Sequence, residues 1–488
     1  MSADKPSQNR PISRRRFVGT AVAASLGVWG AVGTRRTKAA GSRPNVLLIV
    51  GDDHGAEMSC AGTVGVHTPN LDALAARGVR FGQSFCTMAS CSPSRASMMT
   101  GLYPHSHGLL INCFEFFGPQ PPADWLAKYD AINRQRCVHD EVPTLVEGLR
   151  TAGYRTGITH KFHMYPHRKF PFDAWINNTA QSVKAFLTAQ DDRPFFLMHN
   201  IAPPHRPFRL HMQNANRERL DPATVQPPGF LPDVPIVRED WAEYLTCVEI
   251  TDQRVGEVLG LLEASGHGED TVVFYVGDNG PSYHRGKMTV YDFGLRVAMI
   301  AAGPGVRQGV TCQELVSLAD LMPTVMDYAG APLTRPVQGI SLRPLLEGRP
   351  GARGHELMFG EVRVGVQPGG FEGRSAFDGR WHYIRLYNTD QPHPLCADDV
   401  QEQTWGNRAY QATIDAREQF PEAYALLQAV VGPNPPREQL FDLETDRWET
   451  KNLTGTAAAE PARARLSAAL DRWLQETDDR RVLPAAAP

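Results

Sequence analysis

The chain of 488 residues has no basic excess: 50 lysines and arginines face 53 aspartates and glutamates, for a net charge of -3. No extended positive field is available to recruit nucleic acid, so any anionic ligand must be held by a local cluster of cations. Past residue 40 there is no apolar run long enough to span a bilayer, which predicts a soluble mature protein. The 8 cysteines (Cys60, Cys86, Cys91, Cys113, Cys137, Cys247, Cys312 and Cys396) include no C-x-x-C pair. That argues against a thiolate zinc site or a dithiol redox motif. Their irregular spacing leaves room for a disulfide or two outside the cytoplasm without specifying a pairing. Internal repeats and low-complexity tracts are also missing after the first forty residues.

What is present begins with a targeting segment at residues 1–40. Ser13-Arg14-Arg15-Arg16-Phe17-Val18 precedes an apolar, Gly/Ala-rich run from Phe17 to Gly33, the arrangement of a twin-arginine export signal. It implies the twin-arginine export machinery as a partner and a periplasmic or extracellular destination, with a retained membrane anchor as the other reading. Cleavage is expected near Ala39 or Ala40. That route carries folded chains, so a residue modification can be installed in the cytoplasm first.

The run Asn45-Val-Leu-Leu-Ile-Val50 is continuous, apolar and bounded by Gly51, and reads as a buried parallel strand with Asp52 and Asp53 at its C-terminal end. The same grammar recurs at Thr271-Val-Val-Phe-Tyr-Val276, which stops at Gly277 before Asp278 and Asn279. Further strands are predicted at 154–159, leading into Lys161 and His163, and at 195–200, leading into Ala202-Pro203-Pro204-His205. Helices are predicted at 70–77, 142–152, 241–264 and 315–328. Strands alternating with helices imply an α/β fold: a large, mostly parallel sheet sandwiched by helices, with its site along the C-terminal strand edge. Past residue 348 the pattern changes. A hairpin about the Asp378-Gly379 turn, a strand at 438–443 and a closing helix at 461–477 suggest a smaller α+β subdomain with an antiparallel sheet. The expected division is 41–348 catalytic and 349–488 C-terminal.

Asp52, Asp53, Asp278 and Asn279 form an all-oxygen ligand set suited to a hard cation, Ca²⁺ or Mg²⁺. Taken singly, each pair is also ordinary turn chemistry. A lone histidine is more often structural than catalytic, and His54, His105, His107, His199 and His284 are read that way.

The segment Cys91-Ser92-Pro93-Ser94-Arg95, followed by Thr100-Gly101, resembles the C-x-P-S-R…T-G motif of type I sulfatases, within the alkaline-phosphatase-like superfamily. The resemblance implies that a formylglycine-generating maturation enzyme oxidises Cys91 to formylglycine. The hydrated aldehyde carries two hydroxyls on one carbon, one to attack sulfur and one to expel sulfate afterwards by C–O cleavage. It also implies Ca²⁺ as the cation, with Cys91 beside Asp52, Asp53, Asp278 and Asn279. Arg95 is expected to fix the nucleophile and the ligand carboxylates. Lys161 and His163 match the family's G-K-x-H element, although His160 stands where glycine is usual. His163 suits a general base, and His205, with Lys287, a general acid.

Similarity to sulfatases runs from about 45 to about 453 and includes Thr68-Pro69-Asn70-Leu71-Asp72, Asp252-Gln-Arg-Val-Gly256, Asp320-Leu-Met-Pro-Thr324 and Glu438-Gln-Leu-Phe-Asp-Leu443. Three stretches look like the N-sulfoglucosamine sulfohydrolase (heparan N-sulfatase) branch: residues 90–97, 186–196 and 473–478. They imply a sulfated amino sugar or glycosaminoglycan fragment as substrate. Asp292-Phe-Gly-Leu-Arg-Val297 follows the O-sulfatase pattern instead, and Lys287 replaces that branch's arginine, so N- against O-sulfate selectivity stays open. Arg363, Arg374 and His382 are candidates to contact the sugar. Alternative readings are a phosphonate monoester or phosphodiester hydrolase of the same superfamily, and a non-catalytic carbohydrate-binding protein.

Overall fold

In the computed structural model the residues described are 43–363, 370–390, 393, 407–480 and 482. The expected export signal and Cys396 lie outside them. The strands are β1 (Asn45–Gly51), β2 (Gly78–Phe81), β3 (Ser84–Phe85), β4 (Arg155–Thr159), β5 (Ala174–Ile176), β6 (Phe195–Ile201) and β7 (Thr271–Gly277). They continue with β8 (Met299–Ala302), β9 (Val310–Cys312), β10 (Val316–Ser317), β11 (Met358–Arg363), β12 (Glu372–Phe377), β13 (Trp381–Tyr387) and β14 (Glu438–Asp442). Eight of them form one sheet in the order β5-β4-β6-β1-β7-β8-β2-β9. The first five run parallel, and β8 is antiparallel to both β7 and β2. The expected α/β architecture is therefore present.

Because both faces are covered, β1 reads as a continuous apolar run, and its side chains are shared between two cores. Val46, Leu48 and Val50 join a core with Met98, Leu149 and Val325. Leu47 and Ile49 join the opposite one with Leu71, Val183 and Val258. The period-2 alternation of a strand thus glues a helical layer to each side.

Helix boundaries follow local chemistry. The helix expected over 142–152 is shorter, Leu145–Thr151, because Thr144 and Glu147 close a capping box ahead of it. The long helix runs Pro235–Ala264, six residues further N-terminal than expected, with proline in its first turn, where a missing N–H is harmless. The helix expected over 315–328 is shorter, Leu321–Tyr328. Val316 and Ser317 instead pair with Ser84 and Phe85, and a capped 3-10 turn at Leu318–Asp320 separates the two. Asp252, on the long helix, accepts bonds from the backbone N–H groups of Asn70 (3.2 Å) and Leu71 (2.7 Å), capping the helix Pro69–Ala76 from across the fold.

The C-terminal region forms an antiparallel sheet in the order β11-β12-β13-β14. Its β12–β13 hairpin turns at Gly379, whose φ is +100°, with Asp378 accepting from the N–H groups of Arg380 and Trp381. The helix Glu460–Glu476 closes one face through Leu466, Leu470, Trp473 and Leu474, at the spacing of one helical stripe. No helix among the described residues is long and apolar enough to cross a membrane.

The end of β7 is sterically closed: a Cβ on Gly277 would stand 1.7 Å from the His54 carbonyl oxygen. The variant Gly277→Ala is therefore expected to lose about 1–3 kcal/mol of stability by overpacking, read as a lower urea midpoint. An unchanged midpoint would show that the strand end relaxes freely.

Candidate active site

Strands β1 and β7 pair in register, with Gly51 opposite Gly277. Whatever follows each glycine must lie side by side, which brings Asp52 and Asp53 against Asp278 and Asn279. The Asp53 N–H donates to Asp278 Oδ1 at 2.9 Å, and the Asn279 amide donates to Asp53 Oδ1 at 2.9 Å. All four residues are buried.

Cys91 is the first residue of the helix Cys91–Thr100. Ser90, at its N-cap, makes no side-chain capping bond. Asn112 substitutes, accepting from the Ser92 N–H at 3.0 Å and the Ser90 hydroxyl at 2.9 Å. This places Cys91 Sγ 3.5 Å from Asp52 Oδ1 and 3.6 Å from Asp53 Oδ1. One ligand atom from each of Asp52, Asp53, Cys91 and Asp278 can be chosen so that all lie within 4.8 Å of one another. Asn279 Oδ1 is buried and has no hydrogen-bond partner among the described residues. An unsatisfied amide oxygen beside three carboxylates fits a hard, oxygen-seeking cation.

Three cations surround the acids. Lys161, just past β4, donates to both oxygens of Asp52 at 2.9 and 2.7 Å. Arg95 donates through Nε to Asp278 at 2.8 Å and through Nη1 to Asn200 Oδ1 at 2.6 Å, while Nη2 stands 3.5 Å from Asp52. Lys287 donates to Asp53 Oδ2 at 2.9 Å and meets His205 Nε2 at 3.0 Å. His163 Nε2 lies 2.9 Å from the Cys113 carbonyl, and its Nδ1 is buried without a hydrogen-bond partner among the described residues. The six residues predicted to act in catalysis and the metal set thus share one neighbourhood.

The electrostatics divide the carboxylates. Burial alone would raise the Asp52 carboxyl, yet Lys161, His205 and Arg95 together hold it well below the usual range. Asp278 moves the other way, pushed up from 3.8 to about 6 by burial and by the charge of Asp52, against Arg95. Burial pushes the Cys91 thiol well above its ordinary value despite Lys161 and Lys287. The unmodified side chain is therefore a protonated thiol and a weak nucleophile. His163 is pushed well below 6.5 by burial and then by the Lys161 and Arg95 cations, which keeps its imidazole neutral.

A model of the sulfatase family matches residues 44–182 and 169–331. The chain belongs to the sulfatase family. Human (Homo sapiens) N-sulphoglucosamine sulphohydrolase is 29% identical to it over 497 aligned residues, spanning 90% of this chain and 91% of the relative. A solved 2-O GAG sulfatase superposes with a TM-score of 0.64 at 21% identity, covering 92% of this chain and 95% of its own. A phosphonate monoester hydrolase from Silicibacter pomeroyi superposes with a TM-score of 0.61 at 19% identity, covering 89% and 96%. The sulfatase fold is thus shared with phosphonate hydrolases, and architecture by itself does not separate the two chemistries.

Within this sulfatase, several site residues carried no signal of their own in the sequence. Asn200, at the end of β6, anchors Arg95 and donates to the Thr159 carbonyl at 2.8 Å. Asn112 caps the helix that carries Cys91, and Glu115 accepts from the Phe162 N–H at 2.6 Å. Only the strand-end position of Asn200 could have singled it out. His160 has a φ of +56°, which explains why glycine is the usual residue at that place.

The histidines read as structural are buried with lowered pKa values or held in ion pairs. His54 accepts or donates at Tyr275 and Glu57, His107 at Ser97, and His199 at Thr159. His105 pairs with Glu361 at 2.5 Å. His284 is pushed down to about 3 by burial and by Arg285. The sugar-contact expectation for Arg363, Arg374 and His382 is corrected by the structure. Arg363 faces Glu372 across β11–β12 at 3.2 Å, Arg374 binds Asp479 at 2.7 Å, and His382 binds Glu449 at 2.5 Å. Acids of the C-terminal region face all three, which are buried. The seven cysteines among the described residues are all free thiols.

A carboxyl whose folded pKa exceeds its unfolded value stabilises the fold below the unfolded pKa and loses that contribution as pH rises through the folded one. For Asp278 the window runs from 3.8 to about 6, and the shift is worth about 3 kcal/mol. In chelator, the melting temperature of wild type relative to Asp278→Asn is therefore expected to fall as pH rises through that window. A flat difference would rule out the raised carboxyl.

Proposed function

We propose that this protein is an exported sulfatase that hydrolyses a sulfate ester or sulfamate of a sulfated sugar, with formylglycine made from Cys91 as its nucleophile. Asp52, Asp53, Asp278 and Asn279 would hold the divalent cation, Ca²⁺ by preference and Mg²⁺ as the other hard ion the set accepts. The observation that carries the reading is the position of Cys91 Sγ, 3.5 and 3.6 Å from two carboxylates that are themselves tied to Lys161 and Lys287. A structural thiol has no use for such surroundings. Residues 41–348 would be the catalytic part and 349–488 the C-terminal subdomain.

When present, the cation and the oxidised side chain supply a polarised pair of hydroxyls on one carbon and a positive charge for the sulfuryl oxygens. The chain's own residues do the rest. Arg95 and Lys161 hold the ligand carboxylates in place and, with Lys287, offset the negative charge of the bound sulfate. His163, neutral and with Nδ1 lacking a partner, can accept a proton at that atom. His205 points Nδ1 at the Arg206 carbonyl, which makes Nδ1 the protonated nitrogen and leaves Nε2 to accept from Lys287. The His205–Lys287 pair therefore holds a proton on Lys287 Nζ, hydrogen-bonded to His205 Nε2, that can pass to the departing oxygen or nitrogen. The buried surroundings keep bulk water from competing with these contacts.

The sugar assignment is supported by the likeness to N-sulphoglucosamine sulphohydrolase over nine-tenths of both chains. Maturation would precede twin-arginine export. The likeness in fold to a phosphonate monoester hydrolase makes that chemistry the second reading, and rates on aryl sulfate against aryl phosphonate esters separate the two.

In protein matured in a competent host, mass spectrometry of the peptide containing Cys91 is expected to show the thiol replaced by an aldehyde, and Cys91→Ala is expected to cut turnover at least about a thousandfold with the fold retained. An active enzyme with an unaltered thiol would overturn the nucleophile assignment. Calcium at about a hundred times its dissociation constant should stabilise the fold by about 2.7 kcal/mol, read as a melting shift that Asp53→Asn lacks. A chelator that leaves the rate unchanged would sink the metal role.

A further inference from the structure

Four residues around the reacting centre hold their backbone in the left-handed region: Asp53 at φ +58°, His160 at +56°, His163 at +52° and Met288 at +65°. Side chains with a Cβ avoid that region, so its use at one place invites a local reason. Three of the four have one. The Asp53 N–H binds Asp278 at 2.9 Å, His163 meets the Cys113 carbonyl at 2.9 Å, and the Met288 N–H binds the Ala89 carbonyl at 2.6 Å. His160 differs. Its side chain is exposed and makes no hydrogen bond, ion pair or ring contact with the described residues. No bond accounts for an imidazole there.

Its place in the chain is specific. On one side is Thr159, which binds Asn200, the anchor of Arg95; on the other is Lys161, which sits on Asp52. The imidazole lies within the electrostatic reach of Glu115, Asp52, Arg95 and Lys161. His211 feels the charges of both His205 and His160, so His160 lies in the same neighbourhood as the proposed acid His205. The groups that would grip the sulfuryl group are buried, and His160 is outside them. An exposed ring one residue from Lys161, which sits on Asp52, is placed to meet the part of a substrate to which a sulfate held there would be attached.

We propose that His160 is a specificity-determining residue that contacts the sugar ring bearing the scissile sulfate, its imidazole N–H donating to a ring hydroxyl or sulfate oxygen. The proposal rests on the reading of the chain as a sugar sulfatase.

The test uses the full matured chain, with glucosamine N-sulfate, glucosamine 6-sulfate and an aryl sulfate as probes. In His160→Gly, which suits a left-handed backbone, the ratio of sugar to aryl-sulfate kcat/KM is expected to fall at least about fivefold, chiefly through KM, with no loss in melting temperature. His160→Asn, also tolerant of that backbone, should show a drop in the same direction and serves if the glycine variant folds poorly. A ratio that does not move, equal losses on sugar and aryl sulfate, or a wild type active on the aryl sulfate but on neither sugar would each overturn the role of His160. Wild type inactive on every sulfate would instead bring down the sulfatase reading itself.

Discussion

The site depends on a repulsion. Asp52, Asp53 and Asp278 are buried together because two parallel strands end at the same level, and three carboxylates in so small a volume cannot all stay ionised without compensation. The chain supplies part of it with Lys161, Arg95 and Lys287, each bound to a different acid. The remainder shows in the raised carboxyl of Asp278 and in the unsatisfied oxygen of Asn279. Both are what a cation would relieve. Arg95 reaches Asp278 and Asn200 at once, so the charge balance also ties β6 to β7 through the helix that carries Cys91.

Much of this was legible in residue order. Continuous apolar runs ending in glycine and acid predicted β1 and β7, and the parallel pairing of those strands brought Asp52, Asp53, Asp278 and Asn279 together without any further information. The C-x-P-S-R segment pointed to Cys91 and Arg95. The rest depended on tertiary partners that leave no periodic trace. The strands β8, β2 and β9 on one side of the sheet are short, and the helix expected from residue 315 gave up its first turns because Val316 found a strand partner in Ser84. Asn112 and Glu115 matter through the backbone N–H groups they accept from, which lie far along the chain. Arg363, Arg374 and His382 looked like free cations in one dimension; their acids were supplied by β12, Glu449 and Asp479.

Backbone conformation adds a second layer. Asp53, His163 and Met288 sit where glycine would be easier, and each is held by a bond that the strained geometry makes possible. Such positions are sustained only because the surrounding sheet and helices over-determine them. The fold's rigid part thus lies under the site, and its irregular part supplies the aim.

Cys91 is wholly buried at the start of a helix that is itself covered on every side. A modifying enzyme of ordinary size has no route to that sulfur in the finished fold. The proposed oxidation would therefore impose an order of events on biosynthesis: chemistry on the growing or unfolded polypeptide first, collapse of the core second. On that proposal, protein that folds ahead of its modifier would be sealed in the thiol form, complete in shape and silent in function.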